Sequence, residues 1–281
     1  MDAVSDADIG ALTEEYRQLY MGTVPCELNT GDWDAVRYQA REELAIRRVL
    51  EREEAGAYTN TFEDLHGMRQ LPGLASQRLM ARGYGYGGEG DWKVAALTRV
   101  IKAMTEGLGG GTSFMEDYTY DLEPGRELVL GAHMLEVCPS LAADRPSLEV
   151  HPLGIGGREP PARLVFEGKA GAATVSSLVD MGGRMRLIVQ DVECVTPIYR
   201  MPKLPVARVM WRPEPDMPTA AHAWLLCGGA HHTVLSCDAD ADMLSDWAEM
   251  MDIECVRLDA GTDIAALKKD LFLSDLAWKL R

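Results

Sequence analysis

The chain has 281 residues, 47% of them hydrophobic and 26% charged, the balance of a globular protein with one large or two smaller domains rather than a disordered one. Its net charge of −16 repels phosphate backbones and anionic lipid surfaces, which argues against nucleic acid and membranes as partners. No apolar run is long enough to span a bilayer and Met1-Asp2-Ala3-Val4-Ser5-Asp6 lacks a basic and apolar leader, so the cytoplasm is the expected compartment, with the six dispersed cysteines free and mostly buried.

Ser5 and Asp6 are candidate caps for a first helix, in which Ile9, Leu12, Tyr16 and Leu19 recur at helical spacing. A second helix is expected over residues 34–52, with Val36, Ala40, Leu44 and Val49 near one stripe. A short strand follows at 57–62. Pro72 and Gly73 break the chain before a helix ending near Arg82. The glycine-rich stretch from Gly83 to Asp91 then feeds a helix over 92–105, with Asp91 as N-cap and Val94, Leu97, Ile101 and Met104 on its apolar face. Gly107 and Gly109 to Gly111 stop it. From Ser113 short strand-like runs appear at 118–122, 127–130, 148–150, 163–167, 185–192 and 206–211, separated by Gly and Pro, which suggests an antiparallel barrel or sandwich. Two late helices, at 240–251 and 263–269, flank a strand at 254–258. A boundary near Gly110 divides an α/β segment, 1–110, from a β-rich segment, 111–281.

The match Gly83-x-Gly85-x-x-Gly88 to the dinucleotide fingerprint is set aside, because the preceding residues read as a helix end and not as the strand that fingerprint requires. The residues that can carry chemistry are dispersed: Glu89 in the glycine loop, Glu116, His133 just after a strand-like run, and the neighbours His231 and His232. Two carboxylates and two imidazoles suit Mn²⁺, Co²⁺, Fe²⁺ or Zn²⁺. If His231 and His232 are extended they point to opposite sides, so at most one of them ligates a given ion easily. Spacing alone does not bring these residues together.

Several ordered stretches resemble L-arabinose isomerases: Thr61-Phe62-Glu63-Asp64-Leu65-His66-Gly67-Met68, Gln70-Leu71-Pro72-Gly73-Leu74-Ala75, Gly88-Glu89-Gly90-Asp91-Trp92-Lys93, Gly111-Thr112-Ser113-Phe114-Met115-Glu116-Asp117-Tyr118-Thr119-Tyr120, His133-Met134-Leu135-Glu136-Val137-Cys138-Pro139, Leu153-Gly154-Ile155-Gly156-Gly157 and Gly228-Gly229-Ala230-His231-His232-Thr233. The resemblance implies an aldose–ketose isomerase that converts L-arabinose to L-ribulose, with D-galactose to D-tagatose as a second reaction, using Mn²⁺ or another divalent cation such as Co²⁺. It implies Glu89, Glu116, His133 and His232 as metal ligands, with Glu89 and Glu116 as the proton-transfer pair. It also implies a sugar pocket lined by His231, Phe62, Asp91, Phe114, Glu136 and Ile155. Glu136 has a second reading, as support for His133, and Asp91 as a helix cap only. The implied architecture is a partial Rossmann-like α/β segment over 1–110 followed by a mainly antiparallel β-barrel domain with C-terminal helices over 111–281, α+β overall. By resemblance the protein is a homo-oligomer, a trimer or hexamer, and the family carries a further N-terminal segment ahead of this region. Two alternatives therefore stand beside the isomerase: a non-catalytic metal- or sugar-binding fragment, and an assembly subunit that needs an N-terminal partner.

Overall fold

The computed structural model describes residues 1, 3–20, 30–198 and 201–280. Cys26 lies outside them; the other five cysteines are free, and Cys138, Cys194 and Cys227 are buried.

The first segment is helical around a small parallel sheet. Helix α1 (Asp6–Tyr20) starts where the Ser5 hydroxyl accepts the Asp8 N–H at 3.1 Å, and it buries Ile9, Leu12 and Tyr16. Helix α2 (Thr30–Arg52) buries Val36, Ala40 and Leu44 as expected, but Val49 is 47% exposed and Leu50 takes its place. At about 100° per residue Val49 lies roughly 220° round from Val36, whereas Leu50 returns to within about 40° of it. The Tyr16 hydroxyl donates to buried Glu43 at 2.7 Å, and Arg82 Nε donates to the same carboxylate at 3.0 Å, so a polar cluster ties α1 and α2 to the chain after the next helix.

Strand β1 (Ala57–Thr59), helix α3 (Gly73–Ala81) and strand β2 (Gly85–Gly87) form a β-α-β unit in which β1 and β2 pair in parallel. The strand expected over 57–62 stops at Thr59, and β2 was hidden in the glycines. Those glycines are there for packing. A Cβ on Gly85 would stand 2.2 Å from the Ala95 carbonyl oxygen, and one on Gly87 would stand 2.3 Å from that of Asp91, so only glycine lets helix α4 (Trp92–Met104) lie on β2. Asp91 caps α4 by accepting the Val94 N–H at 3.1 Å.

The second segment is a closed antiparallel barrel. Its strands are β3 (Thr112–Asp121), β4 (Leu128–Ala132), β7 (Gly171–Asp180), β8 (Met185–Val195), β9 (Arg208–Pro213) and β10 (His232–Ser236), in the order β8-β7-β10-β3-β4-β9, and β9 pairs back onto β8 to close the ring. A separate hairpin, β5 (Ser147–Val150) with β6 (Ala162–Val165), sits outside that ring. Helix α5 (Met217–Leu226) precedes β10; α6 (Ala241–Met250), β11 (Glu254–Leu258) and α7 (Ile264–Lys279) follow it, with β11 parallel to β8 on the outside. The α+β architecture read from the sequence is the one observed.

Alternation along the strands gives the barrel two faces. Met115, Val129, Val175, Val192, Val209, Trp211 and Leu235 share one buried cluster, which continues into α1 and α2. Phe114, Leu178, Leu187, Val189 and Val234 turn the other way and pack against Val94, Leu97 and Ile101 of α4 and Leu244 and Ala248 of α6. Among the described residues no helix is long and apolar enough to cross a membrane.

Candidate functional site

Register assembles the site. His232 pairs with Glu116 across β10 and β3, and Glu116 pairs with Ala132 across β3 and β4. His133 follows Ala132, so one imidazole, one carboxylate and a second imidazole reach the same level on three neighbouring strands. Phe114 lies edge-on to both rings, its centroid 4.8 Å from that of His133 and 5.3 Å from that of His232, and the two imidazole centroids are 5.8 Å apart.

The glycine loop brings the fourth residue from the other segment. Glu89 has φ +56°, a left-handed conformation uncommon outside glycine, and Gly90 beside it has φ +85°. A Cβ on Gly88 would stand 2.9 Å from His133 Cε1, so the loop approaches the imidazole as closely as a backbone can. The Glu89 carboxylate arrives 4.0 Å from His232 Nε2.

Each buried imidazole has its own carboxylate. His133 Nδ1 meets Glu136 Oε2 at 2.6 Å, and His232 Nδ1 lies 3.5 Å from Asp91 Oδ2. Burial disfavours the charged form of His133, but Glu136, with further pull from Glu116 and Glu89, outweighs it and raises the imidazole pKa. Burial would raise the Glu136 carboxyl, yet His133, the Leu135 N–H and the Tyr86 hydroxyl hold it below the usual carboxylate range. Asp91 is lowered too: burial is overcome by His232, the Val94 N–H and Lys93. Asp91 therefore caps a helix with one oxygen and faces His232 with the other.

This arrangement leaves the Nε2 atoms as the free donors. His232 Nε2 is buried and has no hydrogen-bond partner among the described residues, an orphan that a cation beside Glu89 would satisfy. Glu89, His231 and His232 each offer a ligand atom within 4.8 Å of the others. Glu116 adds its charge at His133 from the adjoining strand. Oxygen and imidazole donors of this kind fit a divalent first-row metal ion.

Of the other expected site residues, His231 adjoins this centre, whereas Phe62 and Ile155 lie away from it. His231 is exposed in a bend before β10, and its ring lies 4.1 Å from that of His232, tilted by 54°. The two rings are thus neighbours rather than on opposite sides, because the strand begins only at His232. Phe62 packs in a separate cluster with Leu65, Leu71 and Leu135, and Ile155 is 44% exposed in the loop whose Gly156 faces Phe62. Sequence reasoning missed Tyr86 and Asn60. The Tyr86 hydroxyl lies 2.7 Å from Asn60 Oδ1 and 3.3 Å from Glu136 Oε1, so it braces the carboxylate that braces His133.

Residues 111–254 match the model of the L-arabinose isomerase C-terminal domain, and residues 1–107 match that of the central domain. The chain belongs to the L-arabinose isomerase family. It is 54% identical over 279 residues to an L-arabinose isomerase of Geobacillus stearothermophilus, covering 99% of this chain and 56% of the relative. That of Anoxybacillus flavithermus is 54% identical over 276 residues, with coverages of 98% and 55%. An L-arabinose isomerase 1 of Bacillus licheniformis is 53% identical over 283 residues, with coverages of 100% and 56%. The chain spans about half the length of the curated relatives it matches. Glu89 and Asp91 come from the stretch that matches the family's central domain, and Glu116, His133, His231 and His232 from the stretch that matches its C-terminal domain. The centre sits on the seam between the two.

Proposed function

We propose that this chain carries the metal centre and the proton-transferring groups of an aldose–ketose isomerase that interconverts L-arabinose and L-ribulose, with D-galactose and D-tagatose as a second pair. The observation that carries this reading is the orphaned, buried Nε2 of His232, 4.0 Å from the Glu89 carboxylate, beside a second imidazole locked by its own carboxylate. Glu89, Glu116, His133 and His232 would hold the ion, Mn²⁺ or a similar cation such as Co²⁺, and His231 faces the sugar. When bound, the cation supplies Lewis-acid polarisation of the sugar's carbonyl and neighbouring hydroxyl oxygens. Glu89 and Glu116 would do the proton work: one carboxylate takes the proton from the hydroxyl-bearing carbon beside the carbonyl, a carboxyl returns one to the former carbonyl carbon, and the hydroxyl proton passes from the one sugar oxygen to the other. Glu136 and Asp91 fix the imidazole orientations, and Phe114 keeps the space beneath the rings dry. Phe62 and Ile155 form the more distant wall. The working assembly is a homo-oligomer in the cytoplasm, a trimer or hexamer.

The test is L-ribulose formation from L-arabinose by the purified chain with Mn²⁺ and with EDTA, run in parallel in D₂O. Metal-dependent turnover with solvent deuterium in the product supports the proposal. Turnover without deuterium would assign a hydride shift and remove the proton roles of Glu89 and Glu116. Because the chain spans about half of its relatives, a second reading is an assembly subunit. Activity that appears only on adding the N-terminal part of a relative would establish it, and Mn²⁺ binding without turnover under either condition would leave a binding fragment.

A further inference from the structure

The strands that build the metal centre have another face. Glu116 and Asp117 are successive on β3, as are His232 and Thr233 on β10. Asp117 and Thr233 line a cavity of about 700 Å³, walled by Val129, Val175, Trp211, Met217 and Trp224. Since Val129, Val175 and Trp211 belong to the cluster on the inner face of the barrel, this cavity is the barrel's own lumen, partly covered by α5. Gln190 of β8 also lines it. That residue is 7% exposed, and its Nε2 has no hydrogen-bond partner among the described residues. Asp117 Oδ1 is likewise buried and unpartnered, while its other oxygen accepts from the Tyr120 hydroxyl. A buried amide N–H₂ facing a cavity without an acceptor is costly and rare, and it points to a ligand oxygen.

We infer that the barrel lumen is a second small-molecule site, for an uncharged, mainly apolar ring compound whose hydroxyl or carbonyl oxygen accepts from Gln190 Nε2. Two indoles and several aliphatic side chains provide the apolar wall. The described residues lining the cavity include the carboxylates of Asp117 and Glu127 and no lysine or arginine, which turns anions away. His231 lines this cavity and also belongs to the group with Glu89 and His232, so the lumen and the metal centre share a wall. The inference stands independently of any turnover at the metal centre.

The probe is 4-(trifluoromethyl)benzyl alcohol, titrated into the full chain and followed by ¹⁹F NMR, with 4-(trifluoromethyl)toluene as the analogue that lacks the oxygen. Expected are saturable binding of the alcohol, a preference of fivefold or more over the toluene, and loss of that preference in Gln190→Leu. Val175→Phe, which fills the lumen, is expected to abolish binding of both. Should that variant fail to fold, Ala221→Trp on α5 blocks the same cavity from its rim. Absence of saturable binding by the parent chain overturns the inference. So does an unchanged preference in folded Gln190→Leu, or binding that survives both blocking variants. Displacement of the alcohol by L-arabinose with Mn²⁺ also overturns it, because the lumen would then be an extension of the sugar site.

Discussion

Glu89 is held against its backbone preference. A residue with a Cβ in the left-handed region costs about 1–3 kcal/mol, and the glycines on both sides allow it there. Glu89→Gly removes that strain together with the carboxylate, while the unfolded chain gains freedom worth roughly 0.5–1 kcal/mol. The metal-free variant is therefore expected to be as stable as the parent or more stable by up to about 2.5 kcal/mol, with its Mn²⁺ affinity lost. Urea unfolding in EDTA and a calorimetric Mn²⁺ titration check both; a loss of stability beyond about 1 kcal/mol would mean that the side chain holds the loop. Glu136 acts through His133, fixing which nitrogen faces the centre. Glu136→Gln is expected to lower Mn²⁺ affinity by about 10–100-fold, with the fold retained in circular dichroism. At this scale the sequence was informative where a residue's neighbours are unusual: Glu89 among glycines, His133 at a strand end. It was silent on the pairing of His232 with Asp91 and on Tyr86 behind Glu136, because both contacts cross elements and neither leaves a local pattern.

Elements meet through pairs of residues that tolerate little change. Gly131 of β4 lies under the Trp211 ring of β9, where a Cβ would stand 2.0 Å from Cζ3. Gly131→Ala forces that indole or the strand to move and is expected to cost about 1–3 kcal/mol, read as a lower urea midpoint. On the outer side, β8, β11 and α7 converge on Glu254. Arg184 donates to its carboxylate at 2.7 Å, Arg186 at 3.0 Å and Ser274 at 2.5 Å. Burial raises this carboxyl, but the hydrogen bonds from Arg186, Arg184 and Ser274 outweigh it and hold it below the usual carboxylate range. A depressed carboxyl contributes stability above its unfolded pKa and loses it as the pH falls through the folded one. As the pH falls through and below the ordinary carboxylate range the parent should thus lose stability faster than Glu254→Gln, which has no such proton to bind. At neutral pH that variant is expected to be weaker by about 1–3 kcal/mol, because two largely buried arginines then keep only the half-exposed Asp275 as their anion. Urea midpoints across pH test it, and parallel acid limbs for the two proteins would refute it. The elements that escaped the sequence share one cause. In β7, in the first half of β3 and in β10 successive residues are buried on both faces, so no alternation marks them. Helix α5 is apolar nearly all round and gives no stripe.

The molecule as a whole is one packed body across the boundary read near Gly110. Its largest buried cluster runs from Ile9 and Val36 through Leu74 to Val175 and Leu235, so the helical layer and the barrel share a core. The sequence shows a change of texture there and hides the continuity, which arises only when distant stripes meet. One side chain makes the polar part of that join. Gln77 of α3 is fully buried and donates to the carbonyl oxygens of Val137 and Leu164, each at 3.0 Å, while its own oxygen accepts the Leu164 N–H at 2.7 Å. Gln77→Leu keeps the volume but strands two carbonyls and one N–H away from water, at about 1–3 kcal/mol for each group left unsatisfied. A loss of roughly 3 kcal/mol or more is expected, concentrated at the seam. Hydrogen exchange should then speed up in the peptides covering α3 and β6 relative to those covering β7 and β8. Because Glu89 reaches His133 and His232 only while the two layers stay docked, Mn²⁺ affinity should fall along with that protection. A variant that loses less than about 1 kcal/mol and exchanges α3 at the parent rate would place the coupling in the apolar contacts of Leu74 instead.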